Sequence, residues 1–160
     1  MSRKTRAIAP IPRPGEGKRG PDGYLGYLVR QAHVAVRAAM DKALAELEVT
    51  SPQFVVLTMV SAYPGLSGAD LARLTFLTPQ TINLIVGNLV KAGAVEKSAD
   101  PAHGRILRLQ VTDEGEVLLK RCKARVQEVE ERIAGLVGRE EEKVVRRWLA
   151  AVGAKLVADR

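Results

Sequence analysis

Three observations predict a mainly α-helical fold with one small β-hairpin. Apolar residues make up 46% of the 160-residue chain but aromatics only 4%, so Leu, Val, Ile and Ala must build the core, a mix that favours helices over a large sheet. Apolar residues recur at spacings of three and four along most of the chain. The period breaks after Ala94, where two short, partly β-branched runs flank a cluster of turn residues.

Residues 1–22 form a basic tail in which Pro10, Pro12, Pro14 and Pro21 alternate with glycines and Lys or Arg. Such a segment buries little and is expected to be extended or mobile. It lacks the apolar region of a secretory signal. From Tyr24 to about Glu48, the stripe Leu25, Leu28, Ala32, Val36, Ala39, Ala43 and Leu47 predicts one long amphipathic helix. Thr50-Ser51-Pro52 is a cap-plus-proline helix start. The run Phe54 to Val60 follows it and Pro64-Gly65 ends it. Ser67 caps a short helix over Ala69 to Leu74, and Thr78-Pro79 repeats the start signal. The next helix turns Ile82, Ile85, Val86 and Leu89 inward and ends near Ala92-Gly93. Val95 to Ser98 and Arg105 to Val111 predict the hairpin, with Asp100-Pro101 and His103-Gly104 as turn residues. Thr112 caps another helix, with Asp113 and Glu114 in its first turn, where the helix dipole favours anions. Its stripe is Leu118, Cys122, Val126, Val129, Ile133 and Leu136, and Gly138 ends it. A last helix runs from Arg139 to about Ala158.

The net charge of +7 suits a polyanionic partner, either nucleic acid or an anionic membrane surface, though solubility alone also uses such charge. One cysteine, Cys122, permits no intramolecular disulfide and fits a reducing cytoplasm. No apolar run approaches the length of about 18 residues that a membrane span needs. The chain thus divides into a tail (1–22) and one helical domain (23–160).

Residues 50–111 run helix, turn, helix, hairpin, the order of a winged helix-turn-helix. The second helix carries Thr78, Gln80, Thr81, Asn83, Asn88 and Lys91, and such a helix uses its first residues to reach base edges in the major groove. Gln and Asn pair bidentately with adenine, and Thr reaches several bases or a thymine methyl. The hairpin carries Lys97, His103, Arg105 and Arg108, which suit a basic wing along the phosphate backbone. Either feature alone equally describes a solvated surface; contiguous and correctly ordered, they point to double-stranded DNA.

The stretch LSGADLARLTFLTPQTINLIVGNLVKAGAV and the following DPAHGRILRLQVTDEG resemble the MarR family of bacterial regulators. The specific parts are LA-x-x-T, TPQT, NLV-x-x-G-x-V and LQVTDEG, and the likeness extends over about Tyr24 to Leu156. Many family wings read Asp-Arg-Arg at the tip where this chain has His103-Gly104-Arg105, so only Arg105 carries over. A basic residue is common in the family where Gly87 stands. The resemblance implies a cytoplasmic homodimer held by the terminal helices (23–48 and 112–160) on a pseudo-palindromic operator. The apolar stripes of those helices, which the central domain is too small to cover, imply the same pairing. It further implies a repressor relieved by a small aromatic or phenolic acid. Candidate ligand residues are Tyr24, Tyr27, Gln31, His33, Arg37, Phe54 and Met59, since an Arg among aromatics suits a carboxylate; ordinary packing accounts for the same residues equally well.

Cys122 lies between Arg121 and Lys123 but on an apolar stripe, so buried packing is favoured over redox sensing. His33 and His103 are too few and too isolated for a metal site. The chain carries no P-loop, G-x-G-x-x-G after a strand, or G-x-S-x-G, so no catalytic residue and no cofactor are expected. Some methyltransferases begin with a winged-helix dimerisation domain, but no nucleotide-binding domain accompanies this one. The other alternative is a dimeric winged-helix protein-interaction module without sequence-specific DNA binding.

Overall fold

A computed structural model describes residues 10–100, 102, 104 and 106–158. The chain forms α1 (Leu25–Leu44), α2 (Ser51–Ala62), α3 (Gly68–Thr75), α4 (Pro79–Lys91), β1 (Val95–Ala99), β2 (Leu107–Val111), α5 (Asp113–Ala134) and α6 (Arg139–Ala158). It divides into two compact units, residues 1–38 and 39–160, with the boundary inside α1.

In the first unit, residues 12–20 are less open than the composition of the tail suggests. The Arg13 backbone N–H donates to Glu16 Oε2 at 3.0 Å, and Gly15 N–H donates to the Arg19 carbonyl at 3.1 Å. Arg19 Nη1 donates back to the Pro12 carbonyl at 3.1 Å, and its Nε donates to Gln31 of α1 at 3.4 Å. Gly20 is required here, because a Cβ would stand 2.2 Å from the Gly15 carbonyl oxygen. One arginine therefore closes the segment Pro12–Gly20 on itself and ties it to α1.

The second unit is assembled from helix starts. Thr50 and Gln53 form a reciprocal capping box on α2, as do Ser67 and Asp70 on α3. Thr78 caps α4 with Pro79 in its first turn, and Thr112 caps α5. Between them lies one core: Val56, Leu57 and Val60 of α2, Leu71 of α3, Ile82, Ile85, Val86 and Leu89 of α4, Val95 and Leu109 of the hairpin, and Leu119 of α5. A second cluster joins Leu44, Val49, Cys122 and Val126. Cys122 is fully buried, and burial pushes its thiol pKa up against the pull of Arg121.

The hairpin is antiparallel, with Val95 opposite Val111 and Ala99 opposite Leu107. Leu66, in the turn between α2 and α3, adds a bridge to Leu109. Its carbonyl accepts from Leu109 N–H at 3.0 Å, and Gly65 N–H donates to the Leu109 carbonyl at 2.9 Å. Two ends differ from the sequence pattern. The last turn of the first helix tightens to a 3-10 turn at Ala45–Leu47, which Glu48 closes in the left-handed conformation. α5 stops at Ala134 rather than Gly138, so Leu136, assigned to its stripe, is 83% exposed. No described residue of α6 is buried, and its Val144, Trp148, Leu149 and Leu156 are exposed.

Gly115 lets α5 meet the hairpin: a Cβ there would lie 2.0 Å from the Ala94 carbonyl oxygen and 2.7 Å from Val111. Thr112 reinforces the junction, its hydroxyl donating to the Gly93 carbonyl at 2.5 Å. Gly115→Ala is expected to destabilise the protein by about 1–3 kcal/mol through overpacking against backbone. The check is a urea melt, in which the midpoint falls while the slope is retained.

Candidate nucleic-acid interface

The turn from α3 to α4 sets the geometry. Phe76 ends α3 with φ of 56°, a left-handed conformation that costs a bulky residue energy. Its ring is exposed, while the neighbouring Leu77 packs against the core. Two residues later Thr78 Oγ1 accepts from Thr81 N–H at 3.2 Å and lies 2.9 Å from the Thr81 hydroxyl. Both predicted threonines are therefore engaged in starting the helix.

Burial then divides α4 cleanly. Ile82, Ile85, Val86 and Leu89 are buried, which turns the opposite side to solvent. Positions i, i+4, i+7 and i+11 along the centre of that side are Gln80, Leu84, Gly87 and Lys91, flanked by Asn83 and Asn88. Gln80, Asn83, Asn88 and Lys91 are all exposed. Leu84, absent from the sequence prediction, is 66% exposed at the middle of the face. Its spacing from Gln80 was the signal that could have found it.

The hairpin stands beside this face. Lys97 is exposed on β1 and lines a crevice of about 80 Å³ together with Asn83 and Gly68. His103 and Arg105 lie outside the described residues. Arg108, grouped by sequence with the DNA contacts, is bonded within the protein and keeps about a third of its side chain exposed. Its Nε donates to Asp100 Oδ2 at 2.7 Å and its Nη2 lies 2.5 Å from the same oxygen. Its Nη1 donates to the Gly65 carbonyl at 3.2 Å and lies 3.9 Å from Asp70. The physical reason is Asp100, only 7% exposed, whose buried charge needs a cation. Sequence reasoning took Asp100 as a turn residue; an acid three residues from Lys97 and eight from Arg108 was the available clue.

The seven candidate ligand residues divide between the two units. Tyr27 and Gln31 line an open cavity of about 620 Å³ in the first unit, with Arg19, Leu28, Val34 and Ala38. Tyr24 is exposed beneath the Lys18 ammonium, 5.6 Å from its ring centre, and His33 and Arg37 are exposed on α1. Phe54 and Met59 belong to the second unit, partly buried against its core. Among the described residues, no three His, Cys, Asp or Glu come together as a metal site. No single described helix is long and apolar enough to cross a membrane.

Comparison with known proteins places this arrangement. A family model described as the MarR family matches residues 47–106. The HTH-type transcriptional repressor Rv2887 of Mycobacterium tuberculosis is 36% identical over 133 residues, covering 83% of this chain and 96% of that protein. The crystal structure of the same MarR family protein with p-aminosalicylic acid superposes with a TM-score of 0.67 at 34% identity, over 82% of this chain and 99% of the other. The transcriptional repressor CouR bound to a 23-mer DNA duplex superposes with a TM-score of 0.76 at 26% identity, over 81% of this chain and 92% of the other.

The anchor under the hairpin titrates. Asp70 accepts from the Ser67 hydroxyl and backbone N–H and pairs with Arg73, and these partners lower its pKa from the ordinary 3.8 to about 2. A carboxyl depressed in the folded state adds stability above its unfolded pKa and loses it as pH falls through the folded one. Unfolding followed between about pH 4 and pH 2 is expected to show a decline in stability that is shallower in Asp70→Asn. A decline of equal steepness in both proteins would assign it to other carboxylates.

Proposed function

This chain belongs to the MarR family, and we propose that it is a transcriptional repressor that binds double-stranded DNA as a homodimer and is released by a small aromatic or phenolic acid. The observation that carries this reading is α4: its inner side is fully used by the core, and its outer side offers Gln80, Asn83, Asn88 and Lys91 beside a basic hairpin. Gln and Asn would read adenine, Lys91 and Lys97 would meet phosphates, and Thr78 and Thr81 would contribute chiefly by starting the helix. His103 and Arg105 remain proposed wing contacts on the strength of the sequence. Two copies joined through the apolar faces that α6 and the outer half of α1 expose would present two such helices to a pseudo-palindrome. Acting on chromosomal DNA, the protein belongs in the cytoplasm, and it is a regulator rather than an enzyme.

Release by a ligand needs only a difference in affinity between two dimer geometries, because a ligand shifts an equilibrium by that difference and no more. The aromatic carboxylate class is supported by p-aminosalicylic acid in the complex of the Mycobacterium tuberculosis relative. Tyr24, Tyr27, Gln31, His33, Arg37, Phe54 and Met59 are the proposed ligand contacts.

The test is selection of bound duplexes from a random library with the full-length protein. It is expected to enrich a pseudo-palindrome with half-sites about one helical turn apart. Gln80→Ala or Asn83→Ala should then cost about 1–3 kcal/mol on that duplex and much less on random DNA. Equal losses on both would show that these side chains do not read bases, and no enrichment would favour a protein-interaction module. Truncation after Gly138 should give monomer or aggregate by light scattering; a well-folded soluble dimer would remove α6 from the interface.

A further inference from the structure

The middle of the exposed α4 face is apolar and low, and no packing among the described residues explains it. Leu84 is 66% exposed and belongs to neither core cluster. A single exposed leucine is ordinary. One turn further on the same centre line, however, stands Gly87, where a Cβ would meet nothing within 4 Å and φ is not positive. Neither packing nor backbone conformation therefore requires glycine there, although glycine weakens a helix interior relative to alanine. The lack of a side chain at this position leaves the α4 backbone open to close approach from outside. Both positions lie between Gln80 and Lys91, on the side opposite the buried stripe.

We propose that Leu84 and Gly87 form a thymine-reading step on the recognition helix: Leu84 packs on a thymine C5 methyl group, and the missing side chain at Gly87 lets the helix sit deep enough to reach it. The flanking residues choose this occupant. Gln80, Asn83 and Asn88 carry amides, whose bidentate partner in the major groove is adenine. Every adenine is paired with a thymine, whose methyl projects into that same groove as its one apolar feature. An apolar step bordered by amides is thus complementary to A·T pairs and poorly suited to G·C pairs. The inference rests on the DNA-binding reading and adds base preference to it.

The experiment uses the duplex enriched by the full-length protein, with each thymine of a half-site replaced in turn by deoxyuridine, which lacks only the methyl group. Wild type is expected to lose about three- to fivefold in affinity at one or two positions, the size of one buried methyl group. Leu84→Ala should lose a similar factor on the thymine duplex and lose nothing more when those thymines become uracil. Gly87→Ala should melt a few degrees higher, as a stronger helix former, yet bind the duplex at least about tenfold more weakly. Uracil without effect anywhere, losses that multiply between Leu84→Ala and uracil, or undiminished binding by Gly87→Ala would each overturn the proposal. So would a changed oligomeric state in Leu84→Ala, which would make the face a protein contact. A library that enriches no duplex overturns the DNA-binding reading and this inference with it; an enriched duplex with independent losses overturns this inference alone.

Discussion

One buried negative charge organises the packing of the hairpin against the helix-turn-helix. Among the described residues, Asp100 is the charged side chain that is buried, and it lies between the hairpin and the helix-turn-helix. A carboxylate in that position costs several kcal/mol unless it is paired. Arg108 pairs it with two nitrogens and uses the third on the Gly65 carbonyl. The Ala102 N–H, donating to Asp100 Oδ1 at 2.7 Å, satisfies the other oxygen. The same guanidinium therefore holds the base of β2, the turn between α2 and α3, and the side of Asp70. A lysine could supply the charge but not the fork. The Leu66 to Leu109 bridge and the register of the hairpin are built around this point.

The geometry also explains a division of labour among the basic residues. Lys91 and Lys97 remain exposed, whereas Arg108 and Arg19 are spent on holding the chain together. Net charge alone cannot distinguish these uses, because a cation that braces a loop and a cation that awaits a phosphate look alike in composition. The partners separate them: a buried carboxylate for Arg108, an amide and a backbone carbonyl for Arg19.

What could be read from the sequence follows the same line. The helix starts at Thr50, Ser67, Thr78 and Thr112 were legible because capping is decided within four residues, and the inward stripe of α4 because its period is local. The pairing of Arg108 with Asp100 was not legible from the spacing, since it depends on how the hairpin folds back. The closed segment Pro12–Gly20 was missed because it rests on a hydrogen bond from Arg19 to Gln31 and on a glycine-to-glycine approach, neither of which leaves a periodic trace. The early end of α5 was missed because Gly135 and Gly138 offered competing stops.

The junction of α5 with the hairpin has a mechanical consequence. Gly115 and Thr112 fix the start of α5 against Ala94 and Gly93, so the helix and the reading head turn as one piece. α5 is 22 residues long, which makes it a lever of about 33 Å. A tilt of about 5° at its far end moves the head by roughly 3 Å, close to the rise of ~3.4 Å per base pair along the DNA helix axis. A ligand that reset the helical bundle by so small an angle would shift the reading head by about one base step, with no change inside the head itself.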